Sequence, residues 1–294
     1  MSLSPDHLGA EGVARLLDDA TRSLLQDTNR RGCVVHLPDR GRLLATGDLH
    51  DHPIHFLKVV AFAQLEREDH HLILHELIHG DRLTNGADLS WRMLAKVASL
   101  RLQHPGRVHP MLANHEIAQA FDQPVSKGAG ENTAMFHDGL DWSFGEESGV
   151  VDAALRRFIK AMPLAVRTEG GIQCSHSLPA PSTLASFDAG VFGRELVDAD
   201  FEPRRGAAWQ LNWGRGIDAR QAESLAAAWG VKLFVAGHKH VPEGVEAVGS
   251  RLLLLNSDHE RGVVVPFRLD EPVPTAFEAS MSAVPIQAIG EVVA

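Results

Sequence analysis

The sequence predicts a layered α/β fold, and three observations carry that prediction. From about residue 30 to residue 118, short apolar runs alternate with amphipathic stretches in the order β, α, β, α, β. Each apolar run ends in residues capable of chemistry, which is where layered α/β folds gather their sites, just past the carboxyl ends of strands. The chain has 294 residues of 44% hydrophobic composition, enough to bury a substantial core.

The elements follow in order. Leu8, Val13, Leu16, Leu17, Leu24 and Leu25 form an apolar stripe that predicts a helix over 8–30. "CVVHLPDRGRLLATGDLH" is two apolar runs around a PDRG turn and reads as a hairpin or strand pair. Pro53 opens the next helix, with Ile54, Leu57, Ala61 and Leu65 expected on its buried face. "HLIL" from His71 reads as a buried strand. A helix from about Asp88 carries Leu89, Met93, Val97 and Leu100 and stops at Pro105-Gly106. "RVHPMLANHE" is a further strand. Residues 120–150, rich in Gly, Asp, Ser and Glu, read as an inserted lid or cap. A helix over 153–162 precedes two strands around Gly170-Gly171. Asp218 and Gln221 predict a capping box for a helix over 218–229 that ends at Gly230. "VKLFVAGHKH" is a strand, and "RLLLLNSDHERGVVVPFRL" reads as a last strand pair. The tail from about residue 271 shows no pattern. A single domain over 1–294 is expected.

Bulk charge narrows the function. The 28 Lys and Arg against 38 Asp and Glu give a formal net charge of -10. That balance offers no footprint for generic nucleic-acid binding. Cys33 and Cys174 are too few for a disulfide framework and read as reduced thiols. The amino terminus has no apolar signal region, and no apolar run approaches membrane-spanning length. A soluble, cytoplasmic protein without membrane partners is the expectation.

The residues that carry chemistry lie in five clusters, each after a short apolar run. They are GDLHD (Asp48, His50), HELIHGD (Glu76), ANHE (Asn114, His115), CSHS (His176) and GHKH (His238, His240). Asp48 and His50 are two apart, so a strand would point both to one side, and His238 and His240 repeat the spacing. Carboxylate, imidazole and amide oxygen make a nitrogen/oxygen donor set suited to manganese, iron or zinc. Seven ligands are too many for one tetrahedral zinc and suit two metals sharing a carboxylate.

In that order the blocks resemble the calcineurin-like metallophosphoesterases, over residues 47 to 240. NHE and SHSLP lean toward the Ser/Thr-phosphatase-like branch. The resemblance implies a four-layer α-β-β-α sandwich, with two central mixed sheets flanked by helices, over a dinuclear metal centre. It implies one metal on Asp48, His50 and His240 and the other on Asn114, His176 and His238. Glu76 stands where the family has a bridging Asp. A metal-bound hydroxide would attack the phosphorus of a phosphomonoester, carried by a small molecule or a phosphoprotein, and His115 would assist the leaving group. Asp81 and Arg82, two residues beyond the family's Asp-Arg position, would orient His115 and touch phosphate. By the same resemblance Arg215 in NWGRG would be a second phosphate clamp.

Competing readings remain. The same site could hydrolyse nucleotides or dinucleoside polyphosphates. Glu76 and the shifted Asp-Arg would also suit a catalytically impaired metal-binding scaffold. His75-Glu76-Leu77-Ile78-His79 matches the H-E-x-x-H of zinc peptidases, but that chemistry needs a helix there. A short apolar run between two helices, closed by Gly80, favours a strand end and loop. His52, His55, His75 and His79 are then residues that orient ligands or serve structure.

Overall fold

In a computed structural model, described over residues 7–126 and 130–290, the strands gather into two large sheets. In chain order the helices are α1 (Ala10–Leu25), α2 (Pro53–Ala63), α3 (Trp91–Gln103), α4 (Asn114–Ala120), α5 (Asn132–Phe144), α6 (Ser148–Ala161), α7 (Ala207–Trp213), α8 (Ala219–Trp229) and α9 (Ala276–Met281). The strands are β1 (Arg30–Arg31), β2 (Val34–Leu37), β3 (Arg42–Asp48), β4 (His70–His75), β5 (Leu83–Thr84), β6 (Ala87–Asp88) and β7 (Val108–Pro110). After these come β8 (Ala165–Thr168), β9 (Ile172–Cys174), β10 (Leu233–Ala236), β11 (Val245–Val248), β12 (Leu252–Leu255), β13 (Val263–Arg268) and β14 (Val284–Pro285).

One sheet has the order β14-β13-β3-β4-β7 and the other β1-β2-β8-β9-β10-β12-β11, with β5 and β6 a separate ribbon. Both large sheets mix parallel and antiparallel pairs. Strand alternation sorts the core. Leu43 and Ala45 of β3 point inward between the sheets, where they share a core with Val35, Val166, Val235 and Leu253. Leu44 points the other way, with Leu72 and Leu74, into the layer formed with Leu17, Val59, Val97 and Leu155 of the helices. On the far side, Ala222, Leu225 and Ala226 of α8 cover Phe234, Leu252 and Leu254. The result is a four-layer α-β-β-α sandwich. Among the described residues, no helix is long and apolar enough to cross a membrane.

Several elements form as their sequences predict. The Gln221 N–H donates to Asp218 Oδ1 at 2.8 Å, the Asp218 N–H donates to Gln221 Oε1 at 2.9 Å, and Gly230 ends the helix in the left-handed region. The strands flanking Gly170-Gly171 pair antiparallel. The segment 70–75 is a fully buried strand, so the H-E-x-x-H residues straddle a strand end and a loop.

Other expectations need correction. The two runs of CVVHLPDRGRLLATGDLH do not pair. β2 lies beside β8 in one sheet and β3 between β13 and β4 in the other. β12 and β13 part in the same way. Short apolar strands of equal character carry no label for their sheet, and here each linker crosses the sandwich. Of the residues expected on the buried face of helix α2, only Leu65, just past its end, is buried; the helix itself buries the opposite face. Ile54 is 61% exposed and Leu57 42%, while His55, Phe56, Val59 and Ala63 are buried. The helix is apolar around much of its circumference, so periodicity left its face open. The His55 ring settles it by donating from Nδ1 to the Ser257 carbonyl at 2.7 Å.

In the 120–150 segment, Glu131 caps α5 by accepting from the N–H groups of Thr133 and Ala134. Phe136 and Leu140 are buried, Phe144 packs on Trp91, and Trp142 faces solvent. Residues 127–129 lie outside the described part. The patternless stretch after Asp270 forms α9 and β14, and β14 pairs with β13.

Candidate metal centre

The five polar clusters meet at the carboxyl ends of β3, β4, β9 and β10 and at the start of α4. A bulge after Ala45 of β3 sets Asp48 opposite His75. An isolated parallel bridge from Asp48 to Asn256 then ties the two sheets together at the site. The Ser257 N–H donates to the Asp48 carbonyl at 3.0 Å, and the Gly47 N–H donates to Ser257 Oγ at 2.9 Å.

His50 does not reach the site by strand alternation, as its spacing from Asp48 suggested. The strand ends at Asp48 and His50 sits in a left-handed turn, with φ of 41°. His238 is likewise left-handed and buried, whereas His240 is exposed. His50, Asp51, Glu76, His79 and His238 make up five of the nine non-glycine residues with positive φ among the described residues. Backbone strain of this kind persists where surrounding structure fixes it and tends to collect at functional sites.

Two groups of donor atoms converge. In the first, His176 Nε2 lies 2.7 Å from Asn114 Oδ1 and 3.2 Å from His238 Nδ1, and His238 Nδ1 lies 2.9 Å from Asn114 Oδ1. One amide oxygen and two ring nitrogens cannot satisfy one another in a closed triangle of hydrogen bonds. Ligands at roughly 2.1 Å from one cation stand about 3 Å apart, which is the spacing seen. In the second group, His50 donates from Nδ1 to the Ile78 carbonyl at 2.9 Å, which leaves the Nε2 lone pair facing Glu76 Oε2 at 3.2 Å. Glu76 lies between the groups, its Oε1 3.6 Å from His176 Nε2. Donor atoms of Asp48, Glu76 and His176 all fall within 4.8 Å of one another.

The electrostatics suit a cation. Burial pushes His238 down to about 4 and His176 well below its usual range, so both rings offer lone pairs at neutral pH. Burial, and then the Glu76 charge, push Asp48 well above the usual carboxylate range.

A cavity of about 200 Å³ opens over these atoms, and His115, His240 and Arg215 line it with the donors. Asp81 and Arg82 do not. Both are exposed, and the nearest acid to Arg82 is Asp51 at 4.0 Å. The side chain against His115 Nδ1 is His79, at 2.9 Å, not Asp81. Gly80 lies so close to the His50 carbonyl that a Cβ there would stand 2.2 Å from its oxygen, and the chain is exposed from Asp81 to Gly86. His75 donates from Nδ1 to the Thr46 carbonyl, whereas both ring nitrogens of His79 are engaged by His115 and Gln119, so the two histidines of H-E-x-x-H do not share a ligand. Sequence reasoning missed Asn256, Asp258 and Ser126, which also line the cavity. Asn256 and Asp258 had a signal: RLLLL-NSD is another apolar run ending in polar residues.

Gly237 supports the site by its lack of a side chain. A Cβ there would stand 2.2 Å from Asp48 Oδ1, while the following His238 N–H donates to both Asp48 oxygens at 3.0 Å. Gly237→Ala is expected to displace the Asp48 carboxylate and weaken metal binding about 10–100-fold, the range for altering groups that orient a ligand. Metal titration followed by elemental analysis checks this, and wild-type affinity in a normally folded variant would refute it.

Residues 41–242 match the family described as calcineurin-like phosphoesterase. No curated protein matches the sequence. Among solved structures, the fold is similar to a protein serine/threonine phosphatase from Saccharomyces cerevisiae, with a TM-score of 0.65 and 17% identity over 88% of this chain and 82% of that one. It is also similar to a cold-active protein-tyrosine phosphatase from a psychrophilic Shewanella species, with a TM-score of 0.57 and 11% identity over 80% of this chain and 77% of that one. Both likenesses are of fold. The family match spans well over half the chain and takes in every donor described above, so the protein belongs to the calcineurin-like phosphoesterases, metal-dependent hydrolases of phosphoric esters.

Proposed function

We propose that the chain hydrolyses phosphomonoesters at a pair of cations shared across Glu76, with small phosphorylated molecules or phosphoproteins as substrates. The observation that carries this reading is the placement of the Glu76 carboxylate, with Oε2 toward His50 and Oε1 toward His176. One cation would be held by Asp48, His50 and His240, the other by Asn114, His176 and His238. The nitrogen and oxygen donors suit manganese, iron or zinc. Bound cations supply neutralisation of phosphate charge and a lowered pKa for the attacking water.

The chain's own groups do the rest. Arg215 at the cavity edge offers a planar fork to phosphate oxygens. His115 lies on the cavity wall, its Nε2 3.9 Å from Glu76 Oε1, in position to give a proton to the leaving oxygen. A space of about 200 Å³ suits a phosphoryl group, with the rest of the ester outside, and is smaller than sites that enclose a whole drug-sized ligand. The two cysteines are free and buried, which fits a reducing compartment such as the cytoplasm.

The test is a hydrolysis screen on metal-stripped protein reconstituted separately with manganese, iron or zinc. Substrates are an aryl phosphate, a bis-aryl phosphate, phosphopeptides and diadenosine polyphosphates. Turnover of monoesters that vanishes on chelation is expected. Turnover of the dinucleotides alone would replace the substrate class. Full metal binding without any turnover would favour the scaffold reading.

A further inference from the structure

We infer that His79, itself fixed by Gln119, holds the His115 imidazole so that Nε2 is the nitrogen presented to the leaving oxygen. The inference rests on the proton-donor role proposed above for His115.

The geometry is a chain of three buried side chains. His79 follows β4 in a left-handed conformation, with φ of 60°, and its N–H donates to Ser90 Oγ. Its ring is wholly buried, edge-on to both Phe136 and His115. Gln119 stands four residues after His115 on α4, hence on the same helix face. His79 Nε2 lies 3.2 Å from Gln119 Oε1, and His79 Nδ1 lies 2.9 Å from His115 Nδ1.

Hydrogen-bond bookkeeping fixes the protons. A neutral imidazole donates from one nitrogen and accepts at the other. The Gln119 oxygen accepts only, so His79 carries its proton on Nε2 and presents a lone pair at Nδ1. His115 must then donate from Nδ1. Its other nitrogen, Nε2, faces the cavity beside Glu76. With His115 protonated on both nitrogens, the oxygen of water bonds to phosphorus as the ester P–O bond breaks; the electron pair of the broken bond stays on the departing oxygen, which takes the proton of His115 Nε2, and the water gives up a proton to solvent. His115 is left neutral, still donating from Nδ1 to His79, and solvent returns the lost proton. No proton passes to His79 or Gln119, so both are positioning residues. An acceptor at this place need not be a histidine: the Oδ1 of Asn or Asp is as many bonds from Cβ as the Nδ1 of His.

The test compares His79→Leu, His79→Asn and wild type on two esters. Phenyl phosphate has a leaving group that needs a proton, and dinitrophenyl phosphate has one that does not. His79→Leu is expected to lower kcat for phenyl phosphate about 100-fold, with KM and the dinitrophenyl rate nearly unchanged. His79→Asn should recover most of the loss. Equal loss on both esters, no loss on either, or no recovery with Asn would overturn the inference. A second readout is independent of turnover: ring-nitrogen NMR shifts of the zinc-loaded protein should show His115 protonated at Nδ1, and a ring protonated only at Nε2 would overturn it. If wild type turns over no ester, the phosphoesterase reading fails and the ring-nitrogen shifts alone decide the arrangement.

Discussion

Glu76→Gln is expected to leave a folded chain that binds less than its full complement of metal and turns over esters about 10³-fold more slowly. The amide keeps the size of the side chain and removes the charge that faces His50 at 3.2 Å and His176 at 3.6 Å. Charge stabilisation by a metal pair is worth several kcal/mol, and each 1.4 kcal/mol or so is a factor of ten in rate. Elemental analysis and kcat on an aryl phosphate check the two halves of the expectation. Near-normal turnover with one amide at this position would remove Glu76 from the centre of the site. Glu76→Asp asks a finer question, because the motif resemblance implies the shorter acid at this place. The Glu76 backbone is held at φ of 37°, and its carboxylate also accepts the His115 N–H at 3.3 Å. Shortening the side chain by one carbon–carbon bond withdraws the carboxylate by about 1.5 Å. It can then approach one side of the site only by leaving the other. A partial loss of metal and rate is expected. Full activity would show that the loop after β4 adjusts to either length.

The donors were legible in the sequence because each follows its own apolar run, and strands of this fold end at the site. Asp48, Glu76, Asn114, His176 and His238 needed only that rule, and the structure brings them together. The route by which they arrive was not legible. Two-residue spacing suggested strand alternation for Asp48 with His50 and for His238 with His240, but the strands end first and left-handed turns do the aiming. Such turns leave little trace when the residue is a histidine rather than a glycine. The neighbour of the His115 ring was not legible either. The family's Asp-Arg pattern pointed to Asp81, two residues late, whereas the side chain that lies against His115 Nδ1, at 2.9 Å, is the imidazole of His79. Sheet membership was the least legible feature. Only long-range register decides it, as where Leu255 ends beside Gly47 and joins the two halves of the sandwich.

A pair of histidines remote from the metal centre should make stability fall in acid. His71 of β4 stacks on His109 of β7 with centroids 5.5 Å apart, and His71 Nδ1 is 3.3 Å from His109 Nε2. Burial pushes His71 down to about 4, with Asp27 pulling the other way, and burial holds His109 well below its usual range. In the unfolded chain both rings take up protons near pH 6.5. Between pH 6.5 and about 4 the unfolded state therefore binds more protons than the folded one, and stability is lost as pH falls through that window. For His71 alone the loss is about 3 kcal/mol by pH 4, a large part of the 5–15 kcal/mol that typically holds a domain folded. Other groups act in the opposite sense: burial raises Asp51 and Asp88 to about 6, so their contributions grow as pH falls. A comparison of wild type with His71→Gln cancels those acids and isolates the ring. Urea unfolding at pH 7 and pH 5 should show a smaller pH-dependent loss in the variant, whatever its baseline stability. Parallel losses in the two proteins would mean that the His71 ring takes up its proton without leaving the fold, and that the stacked pair carries no acid sensitivity.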